Sequence, residues 1–387
     1  MKKILATILA LVMALALCTT SWADGEGKGG TTPPASTTAV AKIGEQEYTT
    51  LQAAVEAATT GQTIVLVADT TEDITVVSGK DITIDLSGKK VTNASADTIT
   101  VALGAKLTIT GTGTVDNVTN GRAAIYNNGT VILNGGKYTR SKEAANTTES
   151  GGGNSYYNIL NHGLMTINSD VEVTSSGHFS SLIANGYYTY TATDPRSGYV
   201  DGTNQAAPQL TINGGTFSGG INTVKNDDGA SLVINDGHFS NVTQAAVQNN
   251  NTAEIHGGTF DAAGYDALQN RYYAGGKNNG VLTITAGKFT GDVYSGEGAT
   301  TAISGGTFKD AAGKAVDVSA YLVAGKQQNS DGSVGSKSYY YYPSTSDTTT
   351  STTTKGSPKT FDAGIALYVG MALTSVTGLA YTGKKKF

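Results

Sequence analysis

The 387-residue chain carries 26 basic and 31 acidic residues, with only 15% of its side chains charged, 50 glycines and a single cysteine. So sparse and slightly acidic a charge, with no basic stripe, excludes nucleic acid as a partner. With Cys18 as the lone cysteine, a disulfide framework and cysteine-based metal or nucleophile chemistry are excluded as well.

In chain order, Met1-Lys2-Lys3, an apolar run from Ile4 to Cys18 and the small-x-small Ser21-Trp22-Ala23 predict a secretory signal peptide over 1–23. The run is short for a membrane span. A lipoprotein reading of Leu15-Ala16-Leu17-Cys18 is the minor alternative, because Leu17 stands where a small residue is expected. Residues 24–40, rich in Gly, Thr and Pro, form an exposed leader with nothing to bury. Without Lys2, Lys3, Lys384, Lys385, Lys386 and Asp362, 21 basic and 30 acidic residues remain, a net of −9.

A strand is predicted over 41–48 and a helix over 49–58, with Thr49 and Gln52 as its capping box. Leu51, Ala54, Val55 and Ala58 share one helical face, Gly61 ends the segment, and 63–67 is a β-branched strand. From there to about residue 325 one phrase recurs: apolar–x–apolar–x–Gly/Asp–Gly–x–aromatic. It reads Val131-Ile132-Leu133-Asn134-Gly135-Gly136-Lys137-Tyr138, then returns at Leu210 to Phe217, Leu232 to Phe239, Ala253 to Phe260, Leu282 to Phe289 and Thr301 to Phe308. The later central apolar residues fall at 212, 234, 255, 284 and 303, in steps of 22, 21, 29 and 19. Alternation at such a period means one coil of a β-solenoid per repeat, roughly a dozen coils in all. The amphipathic helix would then cover the open first coil.

A second marker, an apolar residue followed two places on by Asn, ends at Asn127, Asn161, Asn226, Asn249 and Asn270. Stacked at one corner, these predict an asparagine ladder. The aromatic column Tyr138, Phe217, Phe239, Phe260, Phe289 and Phe308 reads as a packed stack that holds register rather than a sugar platform. Three segments break the rhythm, at 140–158, 175–209 and 271–280, and carry Tyr156, Tyr157, Tyr187, Tyr188, Tyr190, Tyr199, Tyr272 and Tyr273. Nothing periodic requires tyrosines there, so Tyr187, Tyr188, Tyr190, Tyr272 and Tyr273 are the candidate binding residues.

These features together resemble the right-handed parallel β-helix of the pectin-lyase-like superfamily, an all-β solenoid with an N-terminal capping helix, here expected over 41–335. The resemblance implies a fold shared by lyases, hydrolases, esterases and non-enzymatic surface proteins, so it names no activity. Residues 336–356 are a Tyr/Thr-rich linker. Beyond it, Ser357-Pro358-Lys359-Thr360, the apolar stretch 363–383 and Lys384-Lys385-Lys386 are similar to the cell-wall sorting signal of Gram-positive surface proteins. Phe361 replaces the Gly of that pattern, which leaves a plain transmembrane anchor as the alternative to sortase processing.

Chemistry is sparse. Hydrolases need two carboxylates at a set separation, and uronate lyases need carboxylates for calcium with a base nearby. Aligned on the Asn marker, only Asp227-Asp228 offers acids, with none stacked above or below. Asp227, Asn250 and Arg271 would share one column, so Asp227, Asp228 and Arg271 come nearest to a catalytic set, and none is assigned. His162, His178, His238 and His256 form no pair, and no metalloprotease, P-loop, nucleophile-elbow or dinucleotide motif is present. No cofactor is expected, and calcium has no more than loose Asp/Asn turns behind it. The expectation is a monomeric, non-enzymatic, adhesin-like surface protein. Its partners would be a carbohydrate or a host or neighbour-cell protein, with a sortase and peptidoglycan at the tail. The alternatives are a polysaccharide lyase or glycoside hydrolase, and a structural wall component.

Overall fold

The fold is that of a computed structural model, described for residues 38–143, 156–186, 207–227, 229–271 and 280–338. The chain divides into two units, Met1–Lys337 and Ser338–Phe387, and the fold below is that of the first. The signal-peptide, sorting-motif and 363–383 predictions lie outside the described residues. Among the described residues no helix is long and apolar enough to cross a membrane.

Among the described residues, apart from one α-helix, Leu51–Ala57, and one 3-10 turn, Ser319–Tyr321, the regular structure is β and is built largely of long parallel sheets. Each circuit of the chain, called a coil below, adds one strand to each of three ladders. The first ladder has ten parallel strands, from Thr63–Leu66 to Thr300–Ile303, where roughly a dozen coils were expected. The second takes the strands after the glycines, such as Gly136–Thr139 and His238–Ser240. The third takes the strands ending in Asn, such as Ile159–Asn161 and Ala245–Asn249. Two long strands, Thr259–Asn270 and Lys288–Ser295, run through both and join them into one sheet.

The recurring phrase has a separate physical reason at each position. Its apolar residues point inward, so Leu107, Val131, Leu210, Leu232 and Leu282 stack in one buried column and Ile109, Leu133, Ile167, Ile212, Ile234, Ile255, Ile284 and Ile303 in another. The two glycines differ in cause. A Cβ on Gly257 would lie 2.4 Å from the carbonyl oxygen of Asn235 on the preceding coil, so the stacking distance itself forbids a side chain. Gly258 has φ +98°, a left-handed turn that feeds the second ladder.

Both predicted stacks form. Asn127, Asn161, Asn185, Asn226, Asn249 and Asn270 are fully buried, and each Nδ2 donates to the Oδ1 of the next at 2.7–2.9 Å. The same amide reaches the backbone of the following coil, as where Asn226 Nδ2 donates to Thr252 O at 3.0 Å. Asn185 belongs to a coil hidden inside what the sequence presents as the 175–209 interruption, where Ile183–Asn185 is a regular strand of the third ladder. Phe217, Phe239, Phe260, Phe289 and Phe308 stack face to face at 4.7–4.8 Å with interplanar angles of 4–11°. Tyr138 is not part of that stack. Its ladder neighbours are Val115 and Val173, and its hydroxyl donates to Gly135 O.

The ends correct the sequence reading in detail. The strand predicted over 41–48 is a hairpin, Ala41–Ile43 against Gln46–Tyr48, turning at Gly44. The helix is capped by Thr50, whose hydroxyl accepts from Ala53 N, and not by a Thr49–Gln52 box. The Glu72 carboxylate accepts from Leu51 N and Gln52 N, and the Gln52 side chain bonds Glu56 and Thr75. Leu51, Ala54, Val55 and Ala58 are buried as expected. At the other end the coils stop at Thr307–Lys309. A hairpin, Lys326–Gln328 with Val334–Ser336, then folds back so that Phe308 N donates to Gly332 O and Val334 N to Gly306 O. This closes an edge that would otherwise offer unpaired backbone groups.

Replacing Asn226 by Ala breaks the buried ladder on both sides, removing the bond from Asn185 and those to Asn249, Ala230 and Thr252, and should cost at least about 2–3 kcal/mol. Asn235→Ala, in an exposed stack where Asn235 Nδ2 donates to Asn213 and Asn213 Nδ2 to Asn168, should stay within about 0.5 kcal/mol. Phe260→Ala should cost about 3–5 kcal/mol. Urea unfolding of the three variants, read by circular dichroism, checks the order.

Candidate functional site

The third ladder is the face on which the sequence candidates converge. Counting outward-facing positions from its coils, Asn222, Ala245, Asp266 and Asp292 align in one column, and Ala184, Lys225, Gln248, Gln269 and Tyr294 in a second. The residues that follow the buried asparagines form a third: Gly186, Asp227, Asn250, Arg271 and Gly296 each donate their N–H to the ladder position of the coil before. The predicted column Asp227–Asn250–Arg271 is therefore real, with acid and guanidinium two coils apart.

Its chemistry differs from a ligand bridge. Asp227 is buried and pairs with Lys225 Nζ at 2.9 Å, while Asn250 Nδ2 donates to Asp227 Oδ1 at 3.3 Å. Arg271 stands at the exposed end of the column, and its carbonyl accepts from Gly280 N. Asp228 and the five candidate tyrosines, Tyr187, Tyr188, Tyr190, Tyr272 and Tyr273, lie outside the described residues. The points where their segments leave do not. One segment departs after Gly186 and the other after Arg271, from the same corner of the third ladder. Two coils with short corners, carrying Asp227 and Asn250, lie between these departures.

A string of amides connects the columns. Asn222 Nδ2 donates to Gln248 Oε1 at 3.5 Å and to Ser181 Oγ at 3.4 Å, and Gln248 Nε2 donates to Gln269 Oε1 at 2.9 Å. Gln269 Nε2 in turn donates to the Asp266 carboxylate at 2.5 Å. Tyr265 and Tyr294 expose their rings on the last two coils of this face.

Sequence reasoning missed two acids here. Asp266 pairs in register with Asp292 on the next coil, but a shift between Asp266 and Leu268 offsets the Asn-based alignment that would have revealed them. Burial pushes the Asp266 carboxyl up, the Gln269 hydrogen bond opposes this, Asp292 adds to the rise and Arg271 counters it. Arg140 and Glu143 were also missed as a unit. The pair is buried at 3.1 Å, with Arg140 donating to Arg122 O and Thr119 O and Glu143 accepting from Tyr156 N. They pin the feet of the 140–158 segment, and Tyr156 packs under the Arg140 guanidinium.

No protein-family model, curated protein or solved structure matches the chain. The reading of the face therefore stands on its own geometry. Among the described residues no group of three or more His, Cys, Asp or Glu could hold a metal ion. His238 lies between Thr216 and Thr259 in the second ladder, and His256 contacts Glu254 and Thr285, so no histidine pair forms. His162 sits two coils below Asp227 in the third column, edge-on to Tyr126, and burial depresses its pKa to about 4.

Asp227→Asn removes the carboxylate that faces the Lys225 ammonium at 2.9 Å in a buried setting and should cost about 3 kcal/mol of stability, measurable by urea unfolding. His162 binds its proton less readily folded than unfolded, so its contribution is intact above pH 6.5 and is lost as pH falls from there towards about 4. A His162→Gln chain should show a flatter thermal midpoint across that window.

Proposed function

We propose that the chain is a non-enzymatic, adhesin-like protein retained at a bacterial cell surface, whose coils form a right-handed parallel β-helix of the pectin-lyase-like kind and bind glycans or proteins through the third-ladder face. The observation that carries this reading is the company kept on that face. Exposed Tyr265 and Tyr294 adjoin a hydrogen-bonded array of amides and carboxylates, and both tyrosine-bearing segments leave the corner beside it. Flat rings beside directional amides suit sugar and protein surfaces alike. The signal-like start and the sorting-type tail support display at the surface, by wall attachment or a membrane anchor.

A carbohydrate-active enzyme is the second reading, favoured by one observation, the register pairing of Asp266 with Asp292. Two carboxylates on adjacent coils can share a proton and act as an acid–base pair. Against it, Asp266 is already engaged by Gln269, and Asp227 by Lys225 and Asn250.

Cells displaying the full chain should be retained on mucin-type glycans or on uronate or neutral polysaccharides without shortening them. Changing Tyr187, Tyr188, Tyr190, Tyr272 and Tyr273 together to Ala should reduce retention at least several-fold. Depolymerisation that disappears with Asp266→Asn or Asp228→Asn would replace the adhesive reading with the enzymatic one.

A further inference from the structure

The coils end differently at their two ends. In a parallel ladder, alternate residues turn their N–H and C=O towards the coil before and the coil after, so an outermost strand has half of its backbone groups facing away from the stack. At the start of the third ladder those groups belong to Thr75, and a side chain of the capping helix meets them. Thr75 N donates to Gln52 Oε1 at 2.9 Å, and Gln52 Nε2 donates to Thr75 O at 3.3 Å. At the far end the second ladder is closed where Phe308 N donates to Gly332 O and Phe308 O accepts from Val316 N. The first ladder is closed in part, by Val323 N on Ile303 O.

The last strand of the third ladder has no such closure among the described residues. Gly296 N donates back to Asn270 O, so by alternation Tyr294 also faces the coil before, while Val293 and Ser295 face forward. No hydrogen bond from a described residue reaches the backbone N–H or C=O of Val293 or Ser295 from that forward side. Thr307–Lys309 covers the earlier part of the same strand, Lys288–Thr290, so the opening is confined to Asp292–Ser295. Such an edge is a template for another strand.

The side chains of the edge define what would cover it. Val293 continues the buried inward column of Val224, Val247 and Leu268 and, as its last member, is only half-buried. On the outer side Asp292 is exposed and Tyr294 is 48% exposed, and Glu297 is exposed in the turn that follows. Neither acid forms an ion pair among the described residues.

We propose that Asp292–Ser295 is a docking edge for an extended cationic segment of a partner protein, which adds one strand to the third ladder. The backbone of the segment supplies the partners that Val293 and Ser295 lack. One aliphatic side chain faces inward onto Val293. The lysine or arginine residues on either side of it face outward, one against the Asp292 carboxylate and one beside the Tyr294 ring. A second copy of the chain fits less well. Antiparallel pairing of this edge with itself about Tyr294 sets Asp292 opposite Gly296 and next to Glu297, acid beside acid. The proposal concerns the end of the ladder and holds whether or not its face is adhesive.

The test titrates the purified full chain by isothermal titration calorimetry with a short peptide of alternating lysine and valine. Two controls accompany it, the same peptide with glutamate for lysine and the lysine peptide N-methylated at every amide. The lysine peptide should bind, the glutamate peptide should bind about tenfold more weakly or less, and the methylated peptide should not bind. Asp292→Lys, at an exposed position, should weaken the lysine peptide about tenfold and favour the glutamate one, and Tyr294→Ala should weaken it several-fold. Residue-resolved hydrogen exchange locates the contact without any substitution. In the free chain the Val293 and Ser295 amides should exchange fast and the Tyr294 amide slowly, and the lysine peptide should slow the first two. Slow exchange at Val293 and Ser295 in the free chain means that the edge is already covered and overturns the proposal. Absence of binding, equal binding of either control peptide, or protection elsewhere also overturns it. Protection of the two amides that grows with protein concentration alone gives the edge to a second copy and overturns the partner segment. Each of these failures leaves the adhesive reading standing, because the adhesion of cells to glycans is measured separately.

Discussion

A buried asparagine that donates to the next one, coil after coil, is the constraint on which the rest of this molecule depends. A primary amide suits the position because it carries a donor and an acceptor at opposite ends of one short, stiff group. Each rung accepts from the coil before and donates to the coil after, so no rung in the middle is left unpaired. The spare N–H on each Nδ2 reaches the backbone carbonyl that starts the next first-ladder strand, as with Asn185 and Ser231 O. One residue thereby closes a corner, sets the stacking distance and fixes register. An aspartate there would repel its neighbours, and a leucine would leave the corner carbonyls dry and unpaired.

Register fixed at one corner propagates to the others. With coils held about 4.8 Å apart, five phenylalanines fall directly over one another, and the first glycine of the phrase must give way to the carbonyl beneath it. The phenylalanine stack therefore depends on the amide ladder and adds stabilisation beyond simple burial. Repetition also determines where function can sit. Positions that must repeat are taken up by packing, and those facing outward on the third ladder are free to vary, which is where the amide and carboxylate arrays appear.

Those arrays use the same donor-to-acceptor logic as the ladder, with one difference. The ladder runs on until its last asparagine finds backbone partners, with Asn270 donating to Thr300 O. The third-ladder strings begin at carboxylates, which only accept, and so they run out of donors at the buried Asn222 and Asn250. A carboxylate at one end of an amide string leaves a buried acceptor unpaired at the other. The buried Arg140–Glu143 pair is a contrasting case, where charge and hydrogen bonds are satisfied internally and serve to pin a segment.

The local alternation and spacing were sufficient to determine that the chain is all-β, that it returns to itself every twenty-odd residues, and that an asparagine and an aromatic column result. Those properties depend on side chains repeating at short range, which a linear reading can count. Several things escaped that count for physical reasons. Ile183–Asn185 was hidden because its coil is joined to the next by a long excursion. The Asp266–Asp292 pairing was hidden by a register shift inside one strand. The Thr50 cap, the C-terminal hairpin and the Arg140–Glu143 clamp depend on contacts between distant segments. Above all, the sequence could place Asp227, Asn250 and Arg271 in a column. Only the tertiary structure decided that Lys225 pairs with the acid, and that the Asn250 amide turns its Nδ2 towards it and leaves its carbonyl buried and unpaired, because amide orientation is set by partners on neighbouring coils.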